Sequence, residues 1–314
     1  MSDRLVLFPH DDGVSTTVWD MDKDRYAGRL VGHTFPVGHA DILGDTAVTI
    51  GGGGYRELGR STNVVKIWNM GTFQCTANLT LPGNGLSDMS SSLLKDRLLL
   101  GTEEGSIQVW DIGGSSPVPL MELKGHGDKI LSTYTSMDTR DKVMSGCIDG
   151  TVRLWDLRIG RCARVMREGH DGIGAASVSM DSGGCVAISG SWDQTVKTWD
   201  LGSGKRIHAY KCGRPPPPGS SMAEAASAEV DSRLSNVMMS ASGSTFLALG
   251  ATLWFKAWDL STDPCDQQPI LDADLCSRCA PRSPVCGAIS RDLSKVAVCY
   301  YSRAGNGLSI RVWK

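Results

Sequence analysis

"GCIDGTVRLWD", Gly146 to Asp156, and "GSWDQTVKTWD", Gly190 to Asp200, set the same residue types in the same order 44 residues apart. The offset holds residue by residue: His126 and His170, Ser145 and Ser189, Asp149 and Asp193, Trp155 and Trp199. Self-similarity at a fixed period marks a structural unit written more than once, stacked because one copy cannot bury its apolar face alone.

Seven of the nine tryptophans close the same kind of phrase: "TTVWD" at Trp19, "VKIWN" at Trp68, "IQVWD" at Trp110, "VRLWD" at Trp155, "VKTWD" at Trp199, "FKAWD" at Trp258 and "IRVWK" at Trp313. The intervals between them, 49, 42, 45, 44, 59 and 55 residues, bracket the roughly 40–45 residues of a four-stranded propeller blade and leave room for loop insertions. Within a unit, "KILSTYTSM", "DKVMSGC" and "TVRLWDL" are short apolar or β-branched runs, and "IDGT" supplies an Asp-Gly hairpin turn. The expectation is an all-β, seven-bladed propeller of four-stranded antiparallel blades, with residues 1–314 as one domain. By strand count, the terminal blades are about one strand short at each end.

Gly125-His126, Asp149 and Trp155-Asp156, with their copies Gly169-His170, Asp193 and Trp199-Asp200, resemble the WD40 repeat family over nearly the whole chain. The resemblance implies two buried hydrogen-bonded tetrads, His126, Ser145, Asp149 and Trp155 in one blade and His170, Ser189, Asp193 and Trp199 in the next. The chemistry is coherent: an indole N–H needs an acceptor, a hydroxyl can accept it and relay to imidazole, and a carboxylate fixes the far ring nitrogen. A Ser, His and Asp set that recurs with a Trp at fixed offset is read as a structural device rather than a catalytic triad. Counting back from Trp110 finds Glu104, Leu100 and Leu81 at the tetrad positions, and blade six has Thr252 and Ala248, so those blades are expected to rely on apolar packing.

The family's repeat geometry implies that the top face carries the interaction residues. Trp192 and its equivalent Ile148 are expected to be exposed there as an apolar patch, with Asp128, Lys129 and Asp171 lining the same face. Tyr55 and Arg56, in the loop "GGGGYRELGRSTN", are further interface candidates. Gly51 to Gly54 lacks the order of a phosphate loop. "VMSGCIDGTVRLWDLR", Val143 to Arg158, resembles the box ending W-D-x-R by which some WD40 proteins dock on a cullin-RING ligase adaptor, and Arg158 is its discriminating residue. "CGRPPPPGSSMAEAASAEVDSR", Cys212 to Arg233, reads as a flexible insertion between blades five and six. Five residues two before the closing Trp are basic, Lys66, Arg153, Lys197, Lys256 and Arg311, and are read as stems covering apolar surface with wet heads.

Composition narrows the classes. A net charge of -2 disfavours nucleic acid as a partner. No run approaches the ~20 apolar residues of a membrane span, and the amino terminus lacks a signal-peptide pattern. A cytoplasmic or nuclear protein with reduced cysteines is expected, so the sequon Asn78-Leu79-Thr80 is read as unused. Cys265, Cys276, Cys279 and Cys286 hold only one C-x-x-C and are not read as a zinc site. No cofactor and no metal are expected. The reading is a non-catalytic module that binds other proteins. The alternatives are a ligase substrate receptor and, from a different class, a propeller enzyme with acidic or histidine residues converging in a central funnel.

Overall fold

The computed structural model describes residues 5–10, 12–52, 63–81, 86–114, 116–135, 138, 141–166, 169–170, 173–212, 234–250, 254–261, 269–274, 284–289, 296–301 and 308–313. Among the described residues every regular element is a strand, and consecutive strands pair antiparallel into small sheets. The first sheet is β1 (Leu5–Pro9), β2 (Thr16–Asp20) and β3 (Arg25–Leu30). The second is β4 (Val37–Leu43), β5 (Thr46–Gly52), β6 (Asn63–Asn69) and β7 (Gln74–Leu81), and the third is β8 (Leu86–Leu94), β9 (Arg97–Thr102), β10 (Ser106–Asp111) and β11 (Val118–Lys124). The fourth is β12 (Ile130–Thr135), β13 (Lys142–Cys147), β14 (Val152–Asp156) and β15 (Arg161–Met166); the fifth is β16 (Ala175–Met180), β17 (Val186–Ser191), β18 (Thr195–Asp200) and β19 (Arg206–Lys211). The sixth is β20 (Leu234–Met239), β21 (Thr245–Gly250), β22 (Trp254–Asp259) and β23 (Leu271–Asp274), and the last is β24 (Pro284–Ile289), β25 (Val296–Tyr301) and β26 (Leu308–Trp313).

The expectation of seven blades, the terminal ones a strand short, is corrected: six blades surround the axis. Five sheets have four strands, while the first and last have three. Six sheets, the first through the sixth, line a central cavity of about 410 Å³, and β24 of the last sheet lies beside β1. In the complete sheets the Trp phrase occupies the third strand from the axis; Trp19 lies on β2, the second strand of its sheet, and Trp313 on β26, the third of its own. Among the described residues, judged by the position of the Trp, the first sheet shows no innermost strand and the last no outermost one.

Both faces of each sheet are covered by neighbours, which is why the strands read as continuous apolar runs rather than alternating ones. Val196 to Trp199 of β18 are four consecutive buried residues. Just before the Trp, the pairing with the following strand slips by one residue in five sheets, at Val18/Trp19, Ile67/Trp68, Val109/Trp110, Leu154/Trp155 and Thr198/Trp199. A bulge at that point increases the local twist and re-aims the side chain. Four of the phrase-closing indoles pack against the preceding sheet: Trp68 with Val18 and Leu30, Trp155 with Val109 and Leu123, Trp199 with Leu154 and Met166, and Trp258 with Val196 and Tyr210. These rings join sheet to sheet.

Two expectations on side chains change. Cys212 is fully buried and its N–H donates to the Gln194 carbonyl at 2.9 Å, so it belongs to the core and not to an insertion; residues 213–233 lie outside the described residues. Lys197 does not keep a wet head: it is 6% exposed, and its Nζ donates to the Gly169 carbonyl at 2.6 Å. Cys75, Cys147, Cys162, Cys185 and Cys212 are free thiols.

A buried Trp hides about 150–250 Å², worth roughly 4–6 kcal/mol at ~25 cal/mol per Å². Trp199→Ala is expected to lower unfolding free energy by about 3–5 kcal/mol in urea denaturation. A loss under about 1 kcal/mol would mean that the indole does not hold the fourth and fifth sheets together.

Candidate functional site

The loops that could carry function are anchored from below by the hydroxyl relays. In the fifth sheet the relay is complete: Trp199 Nε1 donates to Ser189 Oγ at 2.9 Å, His170 Nε2 meets the same oxygen at 2.8 Å, and His170 Nδ1 meets Asp193 Oδ2 at 2.9 Å. Burial pushes the Asp193 carboxyl up, but hydrogen bonds and charge attraction from His170 and the bonds from Thr195 outweigh it and hold it below the usual carboxylate value.

The fourth sheet differs in one link. Trp155 Nε1 and His126 Nε2 both meet Ser145 Oγ, at 2.8 and 2.7 Å. His126 Nδ1, however, meets Thr151 Oγ1 at 3.1 Å, and that hydroxyl donates to Asp149 Oδ1 at 2.7 Å. Asp149 thus acts through Thr151 rather than directly, a correction to the expected tetrad. A third relay, absent from the sequence reading, lies in the second sheet: Trp68 Nε1 donates to Thr49 Oγ1 at 2.7 Å, and His33 Nε2 meets that oxygen at 2.6 Å. The loop inserted before β6 stretches the spacing and hides it, yet Gly32-His33 repeats the dipeptide of Gly125-His126. The glycine has a steric reason. Gly32 and Gly125 have φ of 158° and 157°, and a Cβ there meets the Cη2 of Trp68 or Trp155 at 3.3 or 3.2 Å.

The sheets without a relay dispose of their indole differently. Trp110 Nε1 turns to Gln108 Oε1 at 3.3 Å, because Leu100 offers no acceptor. Trp258 stacks on Phe246, ring centroids 4.9 Å apart.

Above the relays, the structure places the expected contact residues as follows. Trp192 and Ile148 are half-buried rather than exposed. The Trp192 N–H donates to the Gly174 carbonyl at 3.3 Å, and the indole lies so close over Gly174 that a Cβ there meets Cε3 at 3.2 Å. The Ile148 N–H donates to the Lys129 carbonyl at 2.9 Å. Asp128 is exposed, and Lys129 pairs with Glu103 at 3.5 Å. Ile173, next to Gly174, is 45% exposed, and its carbonyl accepts Ser191 Oγ at 3.2 Å. Sequence reasoning missed Ile173; its one signal was an apolar residue standing where the preceding repeat has Lys129. Arg158 is exposed and engaged with its own loop, its Nη2 and Nε on Asp156 at 2.8 and 3.2 Å. Asp171, Tyr55 and Arg56 lie outside the described residues, as do Thr252, Cys265, Cys276 and Cys279. Cys286 falls in β24, the inner strand expected of it.

His126, Cys147 and Asp149 offer ligand atoms within 4.8 Å of one another. His126 is already committed to Ser145 and Thr151, and burial raises the Cys147 thiol to about 12. The trio reads as the structural relay. Among the described residues, no helix is long and apolar enough to cross a membrane.

With this geometry in hand, comparison with known proteins is informative. The family description "WD domain, G-beta repeat" matches residues 117–156 and 160–200, two spans that each join the outermost strand of one sheet, β11 or β15, to the first three strands of the next. This chain carries two WD40 repeats within a β-propeller. It is 27% identical over 210 residues to Transducin-like enhancer protein 2 of Mus musculus, covering 65% of this chain and 26% of that protein. Target of rapamycin complex 1 subunit mip1 of Schizosaccharomyces pombe is 25% identical over 191 residues, 60% of this chain and 13% of its own. Mitochondrial division protein 1 of Saccharomyces cerevisiae (strain YJM789) is 28% identical over 211 residues, 62% of this chain and 25% of its own. The propeller thus spans about a quarter or less of these relatives. The computationally designed Ika8 protein matches 98% of this chain and 84% of its own with a TM-score of 0.64 at 18% identity, a likeness of fold alone.

Two measurements test the relays. Ser189→Ala leaves the Trp199 N–H and the His170 Nε2 without their shared partner and is expected to cost about 1–3 kcal/mol in chemical denaturation, with no change in the circular dichroism of the folded state. His33 and His126 give a pH signature. Burial first, and then Lys66 or Arg153, depress their imidazoles from 6.5 to about 4. A depressed folded pKa contributes stability that is full above 6.5 and is lost as pH falls towards 4, because the unfolded chain takes up protons that the folded one refuses. Melting temperature is therefore expected to drop across that window, with a slope reaching at most ~1.4 kcal/mol per pH unit per histidine, and His126→Gln should make the slope shallower.

Proposed function

We propose that this propeller is a non-catalytic interaction module. Its binding surface is formed by the loops over the third, fourth and fifth sheets, and residues 1–314 act as one domain. The observation that carries this reading is the apolar step made by Ile173 and Trp192. Ile173 is 45% exposed, and the Trp192 indole and Leu131 both lie against Gly174. An aromatic ring fixed before binding loses little side-chain entropy when a partner covers it, which suits it as an interface anchor. Exposed Asp128 and the Lys129–Glu103 pair supply a polar margin, as rims of such surfaces do.

The WD40 relatives support a protein partner in general terms; one is by name a subunit of a complex. The partner's identity and a cytoplasmic or nuclear location belong to the proposal. Docking on a cullin-RING adaptor through Arg158 draws no support from these relatives, and its guanidinium is bound to Asp156. A propeller enzyme calls for several acids or imidazoles converging on the axis; the described lining of the central cavity offers one of each, Asp41 and His39.

Affinity purification followed by mass spectrometry tests the surface. Trp192→Ala and Ile173→Asp are each expected to weaken the same captured protein about tenfold or more, a change of at least ~1.4 kcal/mol, while thermal melting stays near wild type. Retention of every captured protein by both variants would sink the assignment.

A further inference from the structure

The turn between the second and third strands changes character from sheet to sheet. Its sequence is Thr102-Glu103-Glu104-Gly105-Ser106 in the third sheet, Cys147-Ile148-Asp149-Gly150-Thr151 in the fourth and Ser191-Trp192-Asp193-Gln194-Thr195 in the fifth. One position is therefore Glu103, then Ile148, then Trp192. The loop leading into each sheet follows the same trend, with Lys129 before the fourth sheet standing where Ile173 stands before the fifth. The face thus runs from charged to apolar, and its parts are contiguous. A Cβ at Gly105 meets the Asp128 carbonyl at 2.8 Å, the Ile148 N–H donates to the Lys129 carbonyl at 2.9 Å, and Leu131 reaches Gly174 beside Ile173.

The relays explain where the charge is held and where it is released. Asp149 accepts the Thr151 hydroxyl at 2.7 Å, Asp193 accepts the Thr195 hydroxyl at 2.7 Å and pairs with His170, and both acids are half-buried. In the third sheet Leu100 and Leu81 stand at the hydroxyl and histidine positions, so Glu104 has no relay to hold it and its side chain is exposed. Asp128 beside it is exposed as well, with Oδ1 accepting the N–H of Lys129 at 2.7 Å. The lysine of these two segments is engaged with Glu103 at 3.5 Å. Two solvated carboxylates, Glu104 and Asp128, therefore stand at the charged end of a surface whose other end is Ile173 and Trp192.

We propose that this face receives a basic segment of a partner protein, which sets an apolar side chain on Ile173 and Trp192 and Lys or Arg side chains against Glu104 and Asp128. The inference rests on the interaction-module reading and adds to it the chemistry and the direction of the partner. Charge complementarity carries it. An acidic segment brings like charges together at the third sheet, which costs affinity, whereas a basic one is steered to that end during encounter. Exposed ion pairs add little affinity themselves, so the apolar end supplies most of the binding and the acidic end fixes which way the segment lies.

The probe is a displayed library of short random peptides, selected on the full chain, with synthetic copies of the enriched peptides measured by fluorescence anisotropy. These peptides are expected to combine an aromatic or aliphatic residue with Lys or Arg. Their affinity should fall about tenfold or more in Trp192→Ala and in the double variant Glu104→Lys with Asp128→Lys, and should weaken as salt rises. A copy with its basic residues replaced by Glu should bind the double variant more tightly than wild type, a reversal that damage to the fold cannot produce. Should the double variant fail to fold, Glu104→Gln with Asp128→Asn decides, and it must weaken binding about threefold or more and flatten the salt dependence. Peptides that need Trp192 but carry no basic residue, or that bind the charge variants as they bind wild type, overturn the proposal and leave the interaction surface standing. If no peptide is enriched, or if Trp192→Ala and Ile173→Asp both leave binding unchanged, the surface and the proposal fall together.

Discussion

An indole N–H taken out of water must meet an acceptor, and in three sheets of this propeller a single hydroxyl does so. Thr49, Ser145 and Ser189 each accept from the Trp of the next strand and pair with the His of the loop that leads into the sheet. That one oxygen therefore ties the third strand to the second and to the loop preceding the first. The same Trp ring packs on the previous sheet, so the bond that satisfies the N–H also fixes how two sheets meet. Where the hydroxyl is replaced by Leu100 or Ala248, the indole finds Gln108 or stacks on Phe246, and apolar contact has to carry the join.

The relays have a consequence for the upper loops. His126 and His170 sit between the buried hydroxyl and the turn residues, so the turns at Asp149 and Asp193 are held from below. Their chemistry differs. The left-handed position of the turn is Gly150 in the fourth sheet, φ 80°, and Gln194 in the fifth, φ 68°. A side chain in that conformation costs roughly 1–2 kcal/mol, and it is tolerated beside Trp192 and the closed His170–Asp193 pair. Strain of this kind collects where surrounding structure over-determines a loop, which is the condition for presenting a rigid ring to a partner.

Much of this was legible in the sequence. The period of the Trp phrases gave the strand order, the short terminal sheets and the two relays with regular spacing, because each depends on residues a fixed distance apart in one unit. The third relay was hidden by the loop insertion before β6, although Gly32-His33 stood in plain view. Exposure at the candidate surface was misjudged for Trp192 and Ile148, since a turn residue can still be covered by the loop leading into its sheet: Trp192 lies against Gly174, and Ile148 is bonded to Lys129.

The sequence by itself determined the repeated unit, its strands and the residues that satisfy one another within it, since those bonds join positions at set offsets along one stretch of chain. Only the tertiary structure decided that Ile173 stands near Trp192, that Asp149 acts through Thr151, and that Thr16, His39, Ser91 and Ser132 share one cavity. Those neighbours come from different sheets or depend on side-chain rotamers, and packing around an axis, not spacing along the chain, brings them together.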